Sequence, residues 1–157
     1  MTKIIKKYDE PGEWVVEIPL NKSGDDKEWV GIIDARTPGH YKLRVVTNHK
    51  ALNTKGRITV RAVVGARANV DIRGVIKIQS EAQRTDSFLE LRVLMLDAKA
   101  TAIAEPELEI EANDVRASHA ASVGQVDKEQ ILYLMSRGLS VDAAKEEIVN
   151  GFLRYNT

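Results

Sequence analysis

Residues 107–140, ELEIEANDVRASHAASVGQVDKEQILYLMSRGLS, carry the most structural information in the chain. The stretch opens with glutamates that alternate with apolar residues, the period-two pattern of a strand with one solvated face. A loop of small residues with a single histidine, His119, is expected next. Apolar residues then recur at helical spacing. The stretch therefore predicts a strand, a loop and helices, in that order.

Two short helices are predicted at the end of the chain. Asp127 and Ser140 are suited to N-cap positions, and Gly138 to the left-handed position that ends the first helix. Neither helix is long enough to be stable alone, so each must dock on the rest of the chain or on a partner. The apolar faces contain Ile131, Leu132, Leu134 and Met135 in the first helix, and Val141, Ala144, Ile148 and Phe152 in the second.

Upstream of this stretch, strand patterns separated by turn residues dominate. Two architectures fit them: an antiparallel β-sandwich, the commoner home of short alternating strands, and a β-helix. Gly74 interrupts an otherwise strict strand, which suggests a bend or a close backbone approach and suits the corner of a coil. No clean fixed-period repeat is visible, so periodicity does not decide between the two. The predicted strands centre on residues 14–18, 29–33, 41–47, 58–64, 70–78, 89–95 and 107–112.

Length and composition predict one globular domain. The chain has 157 residues, with 43% hydrophobic and 29% charged, and its 23 basic residues balance 23 acidic ones. We expect a single domain, 1–157, with a β-rich body over 1–125 and a helical end over 126–157. No secretory signal and no apolar run of membrane-spanning length is visible. We therefore expect a cytoplasmic protein without a membrane partner.

The chain contains no cysteine. This excludes disulfides, thiolate nucleophiles, and zinc sites or iron–sulfur clusters ligated by cysteines of this chain. The sequence also shows no P-loop, nucleophile elbow or dinucleotide fingerprint, so we expect no enzyme and assign no catalytic residue. The helix-turn-helix-like end is more acidic than basic in its second helix, which argues against a nucleic-acid partner.

Residues 85–152 resemble the C-terminal core of the SufB/SufD iron–sulfur cluster assembly proteins. The resemblance implies a right-handed parallel β-helix with a short helical end, in place of the sandwich. Its most specific segments are PELEI at 106–110, NDVR at 113–116, SH at 118–119, VG at 123–124, YLMSRG at 133–138 and NGF at 150–152.

The resemblance also implies a function and partners. It implies a non-catalytic scaffold or adaptor subunit of SUF-type cluster assembly that docks an ABC-type ATPase through its C-terminal helices. It further implies pairing with a SufB/SufD-like subunit or with a second copy, as a homodimer. The alternative is a free-standing structural or metal-binding homo-oligomer outside that pathway. The residues expected to contact a partner are Tyr133, Arg137, Gly138 and Phe152.

His119 is the one residue to which the resemblance assigns cofactor or metal binding. The family pattern Cys-Ser-His-Gly-Ala-Thr-Val-Gly reads Ala-Ser-His-Ala-Ala-Ser-Val-Gly here, so Ala117 replaces the cysteine and His119 is retained. One histidine cannot hold a cluster, because clusters need several ligands, mostly thiolates. We therefore expect no cofactor bound by this chain alone, and a transient iron–sulfur cluster only if a partner shares it.

Four glutamates and the two other histidines are also candidate sites. Four alternating glutamates could form a hard-ligand metal site with His119, but a row of like charges more often keeps a sheet edge soluble. His40 and His49 lie in turn-like settings and are expected at the surface. The four glutamates are Glu105, Glu107, Glu109 and Glu111.

Overall fold

The computed structural model describes residues 1–154, which form nine β-strands followed by two α-helices. The strands are β1 (Thr2–Tyr8), β2 (Gly12–Leu20), β3 (Asp26–Ala35), β4 (Gly39–His49), β5 (Lys55–Val64), β6 (Ala68–Ile78), β7 (Thr85–Met95), β8 (Thr101–Ile110) and β9 (Val115–Gln125). The helices are α1 (Lys128–Ser136) and α2 (Val141–Leu153). The predicted helical end, 126–157, extends three residues beyond the described part of the chain.

The strands alternate between two parallel sheets. The odd strands form a five-stranded sheet in the order β1-β3-β5-β7-β9, and the even strands form a four-stranded sheet in the order β2-β4-β6-β8. The chain thus winds as a β-solenoid of about four turns. Every strand pairing within residues 1–154 is parallel, which confirms the parallel β-helix and excludes the antiparallel sandwich.

The register shows a repeat that the sequence conceals. Gly12 pairs with Tyr41, and Asp26 pairs with Lys55, so partners lie roughly 30 residues apart. One inward row runs through Trp14, Leu43, Ile72 and Ala104. Stacking requires only that each residue of such a row fit the interior. The residues therefore differ from coil to coil, and the repeat cannot be recognised in the sequence.

The core lies between the two sheets and is built from the inward row of each strand. Alternate residues point inward, as the buried positions of β4 and β6 show. In the first coil, Trp14 lies between two tyrosines, with ring centroids 4.6 Å from Tyr8 and 6.4 Å from Tyr41. The largest fully buried side chains are Trp29 and Tyr41; apart from His49, the others are aliphatic: Leu20, Ile33, Leu43, Ile58, Ile72, Ile76, Ile78, Leu89 and Leu91.

Gly74 lies in the middle of β6 and not at a corner, so that prediction was wrong. It pairs with Val45 on one side and Pro106 on the other. The close approach that its glycine implied is real, because a Cβ at this position would lie 2.7 Å from Cδ2 of Leu89. Gly74 therefore makes room for a core leucine of the opposite sheet.

Left-handed residues form the corners that precede β3, β5 and β7. Gly24, Asn53 and Arg84 have φ values of 81°, 58° and 59°. Their amides donate hydrogen bonds to the carbonyls of the next coil, those of Leu52, Gln83 and Asp114. The corners therefore continue the ladder of the sheets around the solenoid.

The two helices are capped as predicted. The Asp127 carboxylate accepts a bond from the amide of Glu129, and the Ser140 hydroxyl accepts one from the amide of Ala143. Gly138 has a φ of 100°, which confirms its left-handed position after α1. No helix within residues 1–154 is long and apolar enough to cross a membrane.

Candidate functional site

His119 lies in a strand, β9, and not in the small-residue loop expected at this position. Parallel pairing with β7 places it in register with Leu89, a core residue. Val115 and Ala117, which share its alternation, pack against the core. His119 therefore belongs to the inward row of the last coil. It is nevertheless exposed, because β9 pairs only with β7 within residues 1–154.

The inward row of the last coil is an exposed apolar surface. Ile110 of β8 is in register with Ile78, which is buried, yet Ile110 is 41% exposed. Val123 of β9 is in register with Val93 and is 44% exposed. Other members are Leu108, Ala121 and His119. We call this set the open coil: Leu108, Ile110, His119, Ala121 and Val123.

The predicted glutamates lie on the other side of the same coil. Ala102 and Ala104 of β8 pack against the core, so the alternating Glu105, Glu107 and Glu109 face outward. His119 faces inward from the other sheet, and the structure does not bring it to the glutamates. No group of three or more potential metal-ligating side chains occurs within residues 1–154. The metal-binding homo-oligomer thus gains no support here.

Basic residues of β6 explain part of the glutamate row. Arg73 Nη2 lies 3.4 Å from Glu105 Oε2, and Lys77 Nζ lies 2.9 Å from Glu109 Oε2. Charge pairing across neighbouring strands is a usual source of sheet stability. Glutamates of this row therefore stabilise the outer face of the sheet by pairing β8 with β6.

His49 is fully buried, so its expected surface position was wrong, whereas His40 is exposed as predicted. His49 Nδ1 lies 2.7 Å from Thr54 Oγ1, and its Nε2 lies 3.0 Å from Ser87 Oγ. Burial lowers the pKa of His49 to about 4. A serine hydroxyl hydrogen-bonded to a histidine resembles a catalytic nucleophile with its general base. However, all three side chains are buried, and a substrate could not reach them.

Helix α1 presents an apolar surface to solvent. None of its residues, all of which the structure describes, is buried. Leu132 is 63% exposed and Tyr133 is 61% exposed, with Met135 exposed beside them. We call Leu132, Tyr133 and Met135 the α1 face. A groove of about 430 Å³ borders it, lined by Asp127, Glu129, Gln130, Tyr133, Leu134 and Ile148.

The other residues expected to contact a partner fall into two groups. Arg137 and Gly138 end α1, and the Arg137 guanidinium lies over the Tyr133 ring at 5.9 Å, so they adjoin the α1 face. Phe152 lies on α2 and is half-buried, and the Arg92 guanidinium of β7 covers its ring at 5.6 Å. Phe152 therefore faces the solenoid.

Sequence reasoning missed two kinds of residue. Val149, not Val141, is buried with Ala144 where α2 meets the solenoid. Its signal was available, since Val149 lies three residues before the apolar Phe152, which is a helical spacing. The arginines that hold α2 carried no signal, because only the fold brings Arg61 of β5 to the end of the chain, where it donates to the carbonyl of Phe152.

The comparisons with known proteins agree on one family. The family described as SUF system FeS cluster assembly, SufBD core domain, matches residues 15–152. The iron–sulfur cluster assembly protein SufD of Bacillus subtilis is 35% identical over 146 residues, which are 90% of this chain and 33% of that protein. SufB of Bacillus subtilis, and a SufBD family protein of Staphylococcus epidermidis, are each 35% identical over 105 residues, 67% of this chain and 23% of theirs. The chain thus spans a third or less of the length of these relatives.

Proposed function

Because the chain belongs to the SufBD family of the SUF iron–sulfur cluster assembly system, we propose that it acts as a non-catalytic scaffold subunit in that assembly. The observation that carries the proposal is the arrangement at one end of the molecule. The open coil and the α1 face are both apolar, both exposed, and both formed by residues downstream of β7. A scaffold needs such surfaces, since its work is to hold partners together.

The α1 face is the proposed docking site for an ABC-type ATPase. It contains an aromatic residue, Tyr133, which follows the aliphatic Leu132 and has the Arg137 guanidinium over its ring. Tyrosine and arginine are over-represented among residues that dominate binding energy at protein interfaces. Phe152 contributes indirectly, because it holds α2 against the solenoid.

The ATPase encoded by the same genome provides the test of this site. We expect Tyr133→Ala to weaken its binding at least about tenfold, as truncation of an aromatic anchor does. Lys42→Ala is the control, because Lys42 is exposed on β4, which belongs to the four-stranded sheet, whereas α2 contacts β5 of the other sheet. Calorimetric titration would give both affinities. Equal affinity of wild type and Tyr133→Ala, or no binding by the wild type, would refute docking through α1.

The open coil is the proposed contact with a second β-solenoid, either a longer SufB/SufD-like subunit or a second copy of this chain. Two strand edges, those of β8 and β9, have no further partner strand within residues 1–154. A strand of another subunit can pair with such an edge and cover the apolar row beneath it. His119 would then lie within the interface.

This position supports His119 as one ligand of a cluster that is passed on as cargo. Since the chain has no cysteine, the remaining ligands must come from the second subunit. Anaerobic reconstitution with iron and sulfide, in the presence of a SufB-type subunit, should load less cluster on His119→Ala than on wild type. His40→Ala, at an exposed position of β4, is the control. Equal loading of all three proteins would exclude a ligand role for His119.

A further inference from the structure

The end of α2 is held by an arginine of the solenoid. Arg61 of β5 donates from Nη1 to the carbonyl oxygens of Phe152, at 3.1 Å, and Arg154, at 2.7 Å. Arg92 is its register neighbour on β7 and covers the Phe152 ring. Two arginines from neighbouring strands of the five-stranded sheet therefore meet the last turn of α2.

The first half of α2 has an anchor of its own. Arg36, which follows β3, donates from Nη1 to Glu146 at 2.7 Å and is itself held by Asp34. Ala144 and Val149 are buried where α2 contacts β5. The helix thus lies on the outer face of the five-stranded sheet, held near its middle by Arg36 and at its C-terminal end by Arg61.

Arg61 supplies what the end of α2 lacks. The last carbonyls of a helix have no partner within it, and the C-terminal end of its dipole is negative. Residues 150–153 are NGFL and carry no basic side chain. A guanidinium presents charge and several donors in a fixed plane, which an ammonium does not. Arg61 therefore caps α2 from another element of the fold.

The position of the α1 face depends on this cap. Among the residues that the structure describes, none in α1 is buried, and the helix contacts α2. Helix α2 in turn contacts β5, the strand that carries Arg61. A change in how α2 lies on β5 would accordingly move the α1 face relative to the solenoid and its open coil.

We propose that Arg61 is a positioning residue for partner docking, which fixes the orientation of the α1 face by capping α2 from β5. The inference rests on the proposed docking of an ATPase through α1. It adds that a residue outside the docking surface controls the affinity. It also requires the planar guanidinium with its several donors, which a positive charge alone would not replace.

Amide hydrogen exchange of the full chain, without partner, tests the anchoring. Arg61→Ala should raise exchange over Val141–Leu153 about tenfold or more, the factor expected when hydrogen bonds to a charged donor are lost. Arg61→Lys should give an intermediate increase. Arg57→Ala is the matched control, because Arg57 lies on the same face of β5 but pairs with Asp86. Exchange in α2 that is the same in Arg61→Ala as in Arg57→Ala would overturn the proposal.

Titration of the same variants with the ATPase tests the positioning. Affinity should fall in the order wild type, Arg61→Lys, Arg61→Ala, about tenfold at the last step, while Arg57→Ala binds like wild type. Unchanged affinity of Arg61→Ala, despite faster exchange in α2, would overturn the positioning role. Retained binding by Tyr133→Ala would instead refute the docking site, whatever the exchange shows.

A second variant approaches α2 from its other anchor. Glu146→Arg places like charges at Arg36 and should also raise exchange in α2, and Arg36→Glu in the same protein should restore protection. If the charge-swapped protein recovers affinity for the ATPase as well, the pose of α2 is what matters. If it recovers protection but not affinity, the positioning proposal fails.

Discussion

At the scale of single residues, the two informative histidines have opposite settings. His49 is enclosed by hydroxyls, with Thr54 on one ring nitrogen and Ser87 on the other. His119 occupies an equally inward row, but in the last coil, where no further strand of residues 1–154 covers it. The burial of each histidine therefore depends on whether a further coil stacks on its own, and not on the local sequence.

The buried His49 predicts a pH-dependent stability. Its pKa falls from 6.5 to about 4 in the folded protein, so below pH 6.5 the unfolded chain binds a proton that the folded chain refuses. Stability should be constant above pH 7 and fall by roughly 3 kcal/mol as the pH drops to 4. Urea unfolding across this range measures the loss.

Two variants isolate the contribution of His49. His49→Gln keeps hydrogen-bonding groups but removes the titration, so its stability should depend less on pH between 7 and 4. His40→Gln changes an exposed histidine and should follow the wild-type curve. If His49→Gln and wild type lose the same stability on acidification, the buried imidazole is not the cause.

The sequence did not predict the structural surroundings of His119, which lies in a strand. The residues around His119 suggested a loop, because alanine and serine have weak preferences for strands. In the fold, small residues suit β9, since Ala117 and Ala121 share the inward row with Val115 and Val123. Tertiary pairing with β7 overrides local propensity there. His49 could not be placed either, since its partner Ser87 lies 38 positions away.

At the scale of elements, the two helices were the most predictable part of the chain. Caps are local signals, and Asp127, Gly138 and Ser140 each occupy the predicted position. The side of α2 that meets the solenoid could not be predicted locally, because it depends on Arg36, Arg61 and Arg92 from three coils. The strand β1 was likewise not anticipated, since its lysines mask a row that includes Ile4 and Tyr8.

The cap of α2 provides a prediction at this scale. Ser140→Ala removes the hydroxyl that accepts from the Ala143 amide and should destabilise α2 by about 1 kcal/mol. Ser136→Ala is the control, because that serine lies inside α1, where alanine is the better helix former. Hydrogen exchange in Val141–Leu153 should rise in the first variant only. Equal exchange in both would mean that α2 is held by its arginine contacts alone.

At the scale of the whole molecule, the two sheets leave the last coil incompletely covered. Apart from Ile103, the outward residues of β8 and β9 are polar or small, whereas the inward row contains Leu108, Ile110 and Val123. A monomer would expose this row to water at a cost of about 25 cal/mol per Å² of apolar area. Burial against a second subunit would recover that free energy.

The open coil predicts self-association that a charge can block. Ile110→Lys and Val123→Lys each put a charge on the inward row and should weaken homodimerisation at least about tenfold, because an interface does not readily bury an unpaired charge. Ile103→Lys is the control, since Ile103 is 47% exposed on the outward face of β8. Sedimentation equilibrium measures all four proteins. Dimerisation lost equally in Ile103→Lys, or absent in wild type, would contradict pairing through the open coil.

The architecture was predictable only through resemblance, and the reason is physical. Alternation in each strand is compatible with sandwich and solenoid alike, because both bury one face. What distinguishes them is which strands pair, and here β4 pairs with β6 while β5 lies in the other sheet. Side-chain rows such as Trp14, Leu43 and Ile72 contain no shared residue from which that pairing could be read.

Because each coil stacks on the next through parallel strand pairing, the length of this protein is adjustable. Gly39 pairs with Ala68, so the block 39–67 corresponds to one complete rung. Repeating that block once would lengthen the stack by one strand spacing, about 4.8 Å, while the inserted rung finds neighbours of matching shape on both sides. The distance between the two ends of the solenoid can thus be set in steps of one strand spacing, while the surfaces at both ends stay unchanged.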